Sequence, residues 1–164
     1  RPSPLMDINI IANTVEGLIK SGKIKSFGVS NFTANQMDMF KGKVEVLYNQ
    51  INLSLTHLDH MFDGTLEYMQ TNDILPMAYS PLGSYFKEED GKIRKVVDKL
   101  KNKYGCTDYQ LLISWLLKHP SKVYPVIGTT KSDRIKSTLV SLKIEIELID
   151  WFELLEASLG KRVP

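Results

Sequence analysis

Four short stretches place polar side chains where apolar runs stop. FGVSN ends in Ser30-Asn31, VLYNQ in Asn49-Gln50, MAYS in Tyr79-Ser80, and PVIGTTK in Gly128-Thr129-Thr130-Lys131. Each has an ordinary use and a chemical one. Ser and Asn are common caps and turn formers. Asn49 and Gln50 interrupt an otherwise apolar strand, where an unpaired amide costs ~1–3 kcal/mol. They must pair with backbone or with a ligand amide, whose donor and acceptor complement their own. Tyr79 is either a core aromatic or a flat surface for a planar ring. GTTKSDR starts a helix, and its free N–H groups with Lys131 and Arg134 could also hold a phosphate. Taken singly, each stretch reads as structure. Taken together, they suggest an amide, a ring and a phosphate around one pocket.

The elements that would gather these stretches follow one another regularly. Ile8, Ile11, Ala12, Val15, Leu18 and Ile19 recur at helical spacing, with Asp7 as cap and Gly22 past the end. A strand is expected in IKSFGVSN, then a short helix capped by Thr33 and running through Phe40. Val44–Leu55 reads as a second strand, with a helix within DGTLEYMQTND. Leu75–Gly83 reads as a third strand, ended by Pro81 and Gly83. Phe86–Gly105 is charged around a helical core of Ile93, Val96, Val97 and Leu100. Thr107 or Asp108 caps the next helix, whose apolar side holds Leu111, Leu112, Trp115 and Leu116. Val123–Thr130 is the fourth expected strand. A helix from about Ser132 follows, and a last one carries Trp151, Leu154, Leu155 and Leu159. Strands alternate with helices, so right-handed crossovers give an α/β fold with a parallel sheet. In such folds chemistry gathers at the C-terminal ends of the strands, where all four stretches lie.

Composition narrows the function classes. The 164 residues are 43% hydrophobic with a net charge of +2, which fits a single domain over 1–164 with a real core. That charge gives no reason to expect nucleic acid or an anionic membrane surface as partner. The one cysteine, Cys106, excludes an internal disulfide and fits a reducing, cytoplasmic setting. No apolar run approaches the ~20 residues of a membrane span, and RPSPLMD lacks the apolar core of a signal peptide. The opening RPSP, without an initiator methionine, reads as the exit from something upstream.

SGKIKSFGVSNFT, YNQINLSL, DGTLEYMQTNDILPMAYSPLGS, QLLISWLLKHP and PVIGTTKSDRI, in that order and at that spacing, resemble the aldo-keto reductase family over nearly the whole chain. RPSPLMD and LEASLGKRVP are similar to a bacterial oxidoreductase branch of it. The resemblance implies a (β/α)8 TIM barrel that binds NADP(H) at its C-terminal rim and reduces a small-molecule carbonyl by hydride transfer. It implies that Ser30, Asn31 and Gln50 hold the nicotinamide carboxamide and that Tyr79 stacks on the ring. Ser80, Leu82 and Gly83 would border the pyrophosphate; Gly128, Thr129, Thr130, Lys131 and Arg134 would hold the 2′-phosphate. Where the family often has Glu-Asn to meet the adenine, Ser137 and Thr138 stand here.

The family's catalytic Asp, Tyr, Lys and His all lie in the first half of its barrel, and the His normally comes just before the RP that opens this chain. No catalytic residue is therefore assigned here. Length agrees, because a (β/α)8 barrel takes ~250 residues and at least about 200. The expected fold is thus the C-terminal half of a barrel, about strands 5–8. Its open edges call for a missing N-terminal half barrel, a second copy or another partner, and the isolated chain is expected to be inactive. The alternative is a non-catalytic truncated half barrel that serves as a nucleotide-binding or assembly module.

The remaining signals read as structure. His57 and His60 are expected to be solvated loop histidines, with metal ligation or a substrate contact from His57 as the lesser readings. The lysines from Lys92 to Lys103, diluted by Asp90 and Asp98, read as a solvated helix face. Trp115 and Trp151 belong to the core, and Cys106 is structural.

Overall fold

The computed structural model describes residues 1–87 and 91–163, so Asp90 lies outside the described residues. Four parallel strands form one sheet in the order β1-β2-β3-β4: Gly28–Ser30, Tyr48–Asn52, Leu75–Tyr79 and Tyr124–Pro125. Every strand is shorter than its apolar run. The β1 ladder starts where Leu47 N–H donates to Phe27 O, 2.9 Å away. Val44 to Leu47 do not join β2, since Val44 N–H is drawn back to Phe40 O. β3 stops because Ser80 turns left-handed, at φ 50°. β4 is the shortest, because Pro125 has no N–H to offer the ladder; Val126 N–H adds one bond to Ala78 O, at 2.8 Å.

The helices are α1 (Ile8–Lys20), α2 (Ala34–Asp38), α3 (Asp59–Phe62), α4 (Thr65–Thr71), α5 (Lys92–Tyr104), α6 (Asp108–Leu117), α7 (Ser132–Val140) and α8 (Leu148–Leu159). Local capping explains several starts. Asp7 Oδ1 accepts from Asn9 and Ile10 N–H at 2.8 and 3.1 Å. Thr33 and Thr107 each open a capping box closed by Gln36 and Gln110, which satisfies two otherwise orphaned N–H groups apiece. The short α3 has no counterpart in the sequence reading, which placed one helix after β2.

Two apolar clusters hold the fold. Ile8, Phe32, Met37, Phe40, Val46, Met69 and Ile74 pack α1, α2 and α4 against the β1 side. A larger cluster joins Ile51, Leu53 and Ala78 to α5, α6 and α8 through residues such as Leu100, Trp115 and Leu154. Trp115 and Trp151 stack with centroids 5.1 Å apart. Each indole N–H donates to the other residue's carbonyl, at 3.1 and 2.9 Å.

α8 is also tied to α5 by charge. Lys103 Nζ donates to Asp150 and Glu147 at 2.7 and 3.0 Å, Lys99 pairs with Glu153 at 2.7 Å, and the Tyr104 hydroxyl donates to Asp150. Burial alone would push the Asp150 carboxyl up, but the bonds from Lys103 and Tyr104 outweigh it and hold the group below the usual range. Those same bonds, from Asp150 first and then Glu147, raise the Lys103 ammonium. The second half of the lysine run, Lys99, Lys101 and Lys103, is thus ion-paired. Among the described residues, no helix is long and apolar enough to cross a membrane.

Candidate functional site

Side chains alternate across the sheet, and the two faces differ. On β2 and β3, Asn49, Ile51, Pro76 and Ala78 point to the helices and are buried, while Tyr48, Gln50, Asn52, Leu75, Met77 and Tyr79 lie half-exposed on the other face. The register places Ser30 beside Gln50, Gln50 beside Met77, and Asn52 beside Tyr79. Ser30, Gln50, Asn52 and Tyr79 therefore share one face toward the strand tips.

The two amides of β2 separate cleanly. Asn49 is fully buried. Its Nδ2 donates to Phe32 O at 2.8 Å, and its Oδ1 accepts from Phe32 N–H at 3.3 Å. It is paired with backbone and holds the turn that follows β1. That turn begins at Asn31, which is left-handed at φ 58°, a conformation Asn tolerates better than most residues. Asn31 N–H still reaches Gln50 O, at 2.9 Å. The Ser-Asn ending of β1 thus has a structural cause, and it leaves Ser30 and Gln50 side by side on the open face.

Around the tip of β3 the backbone forms a cradle. Gly83 N–H closes a turn onto Ser80 O at 2.8 Å. Gly83 is left-handed at φ 54°, and a Cβ there would strike the hydroxyls of Thr56 and Ser54. Thr56 Oγ1 also accepts from Ser84 N–H at 2.9 Å, so only glycine allows this loop to lie against the exit of β2.

A cleft of about 480 Å³ opens there, and its walls bring together Tyr79, Ser80, Leu82, Gly83, Gly128, Thr129 and Arg134. A second cleft of about 540 Å³ adjoins it through Leu82, Tyr109 and Arg134 and extends to Phe86 and Asp108. Ser30, Asn31 and Gln50 stand apart, the first two at the tip of β1 and Gln50 in the middle of β2 beside them, so Asn49-Gln50 does not end its strand as expected. Thr130 and Lys131 follow Thr129 directly but do not line the first cleft. Lys131 opens α7 without a side-chain cap, and Thr129 Oγ1 accepts from Lys131 N–H at 3.2 Å.

Ser137 and Thr138, which stand where the family often has Glu-Asn, are engaged elsewhere. Gln110 Nε2 donates to Ser137 O and Oγ at 3.0 and 3.1 Å. Thr138 Oγ1 pairs with the Tyr109 hydroxyl at 2.7 Å. These contacts fasten α7 to α6. Tyr109, which the sequence reading passed over, thereby becomes a wall shared by both clefts. Asn52 was passed over too, although its spacing of two from Gln50 puts both on one strand face. Its Oδ1 is buried with no hydrogen-bond partner among the described residues.

His57 and His60 point to different carboxylates, Asp59 at 3.6 Å and Asp63 at 2.9 Å. No group of three or more potential metal ligands occurs among the described residues. Burial, with Asp108 adding to it, raises the Cys106 thiol, which disfavours the reactive thiolate.

The donor set suits a planar ring beside anions. Tyr79 offers a half-exposed ring, Arg134 and Lys131 offer charge, and α7 offers first-turn N–H groups without a side-chain cap. Open space surrounds the position a Gly128 Cβ would take, so a ligand can approach that backbone closely.

The chain resembles known proteins in sequence and in fold. The profile of the Aldo/keto reductase family matches residues 1–156. A 6-dehydroglucose reductase of Agrobacterium fabrum is 34% identical over 99% of this chain and 56% of its own length. An uncharacterized oxidoreductase of Bacillus subtilis is 34% identical over 100% of this chain and 57% of its own. The chain therefore spans little more than half the length of these relatives. Among solved structures, a thermostable aldo-keto reductase bound to the inhibitor epalrestat superposes with a TM-score of 0.86 at 22% identity, over 95% of this chain and 57% of that one. An aldo-keto reductase from Klebsiella pneumoniae in complex with NADPH gives 0.81 at 23% identity, over 94% and 54%.

Proposed function

The chain belongs to the aldo/keto reductase family, and from that membership we propose that it is the C-terminal half, about strands five to eight, of an NADP(H)-dependent carbonyl reductase. The observation that carries this is the cleft at the strand tips, which gathers a half-exposed ring, a glycine cradle and an arginine within one wall. When bound, the nicotinamide supplies a hydride to the carbonyl carbon of a small substrate.

This chain's residues bind and orient. Ser30, Asn31 and Gln50 present hydroxyl and amide groups to the carboxamide, and Tyr79 offers its face to the ring. Ser80, Leu82 and Gly83 border the pyrophosphate. Gly128 to Lys131, with Arg134, take the 2′-phosphate, where charge-assisted bonds are worth ~1.5–3 kcal/mol each. The acid that protonates the carbonyl oxygen belongs to the complementary half. Cytoplasm is the compartment that fits a single, half-buried thiol.

The test is a titration of the purified chain with NADPH, followed by the emission of NADPH itself. Binding should weaken at least tenfold in a Lys131→Ala/Arg134→Ala variant. Emission unchanged by excess protein would refute the cofactor cradle. Carbonyl reduction is expected only once the complementary half is supplied.

A further inference from the structure

The purine of the proposed cofactor has no partner on α7. That helix is amphipathic in pattern yet buries no residue. Its Ser137 and Thr138 are shorter than the Glu-Asn pair often found there, and both are tied to α6. Gln110 Nε2 donates to Ser137 Oγ at 3.1 Å, and the Tyr109 hydroxyl pairs with Thr138 Oγ1 at 2.7 Å. A base lying beyond Arg134 must therefore be met from another element.

The second cleft, of about 540 Å³, supplies one. It shares Leu82, Tyr109 and Arg134 with the first and continues from Arg134 to Phe86 and Asp108. A nucleotide with its phosphates between Gly128 and Arg134 thus reaches it with the base. Phe86 stands on the short 3-10 turn Tyr85–Lys87 and is 50% exposed. The buried Tyr85 ring meets it edge to face, with centroids 4.9 Å apart and planes at 87°. That contact holds an exposed ring in one orientation, a platform on which any base can stack.

Asp108 adds the choice among bases. It opens α6, directly after the Thr107 cap. Its Oδ1 accepts from Tyr109 N–H at 3.1 Å, and its Oδ2 has no hydrogen-bond partner among the described residues. A carboxylate only accepts. Adenine presents a 6-amino donor, whereas purines with a 6-oxo group present an acceptor. We propose that Asp108 selects the base: its Oδ2 accepts from the adenine 6-amino group while Phe86 stacks on the ring. The purine is then read from the start of α6, not from α7. The inference rests on the cofactor reading above and names the residue that makes it specific for adenine.

Nucleotides that differ only at the 6-position test it. The purified chain is titrated with NADPH and with its hypoxanthine analogue, followed by dinucleotide emission, and with adenosine and inosine 2′,5′-bisphosphates by calorimetry. Each adenine compound should bind roughly tenfold more tightly than its 6-oxo counterpart, the size expected of one charge-assisted hydrogen bond. In Asp108→Asn, whose amide can donate to a 6-oxo group, that preference should fall to about threefold or less. Phe86→Ala should weaken all four alike. Equal binding of the paired compounds by the wild-type chain overturns the proposal, and so does a preference undiminished in Asp108→Asn. The bisphosphates, which carry no nicotinamide, keep the two readings apart. An adenine preference among them without NADPH binding leaves the base seat standing and removes the cofactor cradle; NADPH binding without an adenine preference does the opposite. If no nucleotide binds, both fall.

Discussion

The two faces of the sheet are made by the same strands and behave as different materials. Toward the helices, Asn49, Ile51 and Ala78 are fully buried and closely packed; toward the open side, Gln50, Asn52, Met77 and Tyr79 are only half-covered. Parallel strands covered on both faces usually read as continuous apolar runs. YNQIN instead carries three amides and alternates in burial, because only one of its faces is devoted to packing. Stability and recognition can therefore be disturbed separately, residue by residue, along a single strand.

The sharpest break comes on the packed side. Trp115→Ala empties the centre of the larger cluster, removes the ring on which Trp151 stacks and leaves the Trp151 carbonyl without its indole donor. A loss of ~3–5 kcal/mol is expected from urea unfolding, which would leave a chain of this size barely folded. Asn49→Leu should cost about 2 kcal/mol, since both polar groups of Phe32 lose their partner inside the core. A midpoint unchanged from wild type would mean that Asn49 does not hold that turn.

Asp150→Asn probes the α5–α8 junction by pH. The carboxyl is 5% exposed, and its folded-state pKa lies below 3.8. Its contribution is complete above the unfolded value and is lost as pH falls through the folded one. The variant should be less stable at pH 7 by ~1–2 kcal/mol, moderated because Lys103 is partly exposed. That deficit should shrink below about pH 3.8; a constant deficit would exclude ionisation as its source.

Gly83→Ala stands between the two faces. The left-handed backbone and the displaced Ser54 and Thr56 hydroxyls predict about 1–2 kcal/mol of destabilisation, together with weaker NADPH binding. Tyr79→Ala completes the series on the open side. Its stability should change by less than about 1 kcal/mol, while the NADPH dissociation constant rises. An unchanged affinity would remove the stacking role and leave Tyr79 as a wall.

Much of this division could be read from the sequence, and what could not has physical reasons. Parallel order followed from the alternation of elements, and the polar ends of β1 and β3 from where the apolar runs stop, whereas Asn49 and Gln50 fall inside β2. The strand limits did not, because propensity is blind to a backbone that turns left-handed at Ser80 or lacks an N–H at Pro125. Asn49 could be narrowed only to backbone or ligand; the choice depended on Phe32, seventeen residues earlier in the chain. Tyr109 carried no local signal, since only the packing of α6 on α7 brings it to Arg134. The bareness of α7 was hidden for the opposite reason: its pattern promises a buried face that the described residues do not supply.

The stacked indoles also decide what light can report. The chain has two tryptophans, and both sit in the one stack between α6 and α8, each hydrogen-bonded to the other's backbone. Tryptophan emission is therefore a gauge of a single seam. Two near-parallel chromophores at that separation should couple as excitons and give a paired circular-dichroism band that vanishes when α8 detaches. The optical signature of the native chain is thus a property of one junction, which makes loss of the C-terminal helix visible while the rest of the sheet is still intact.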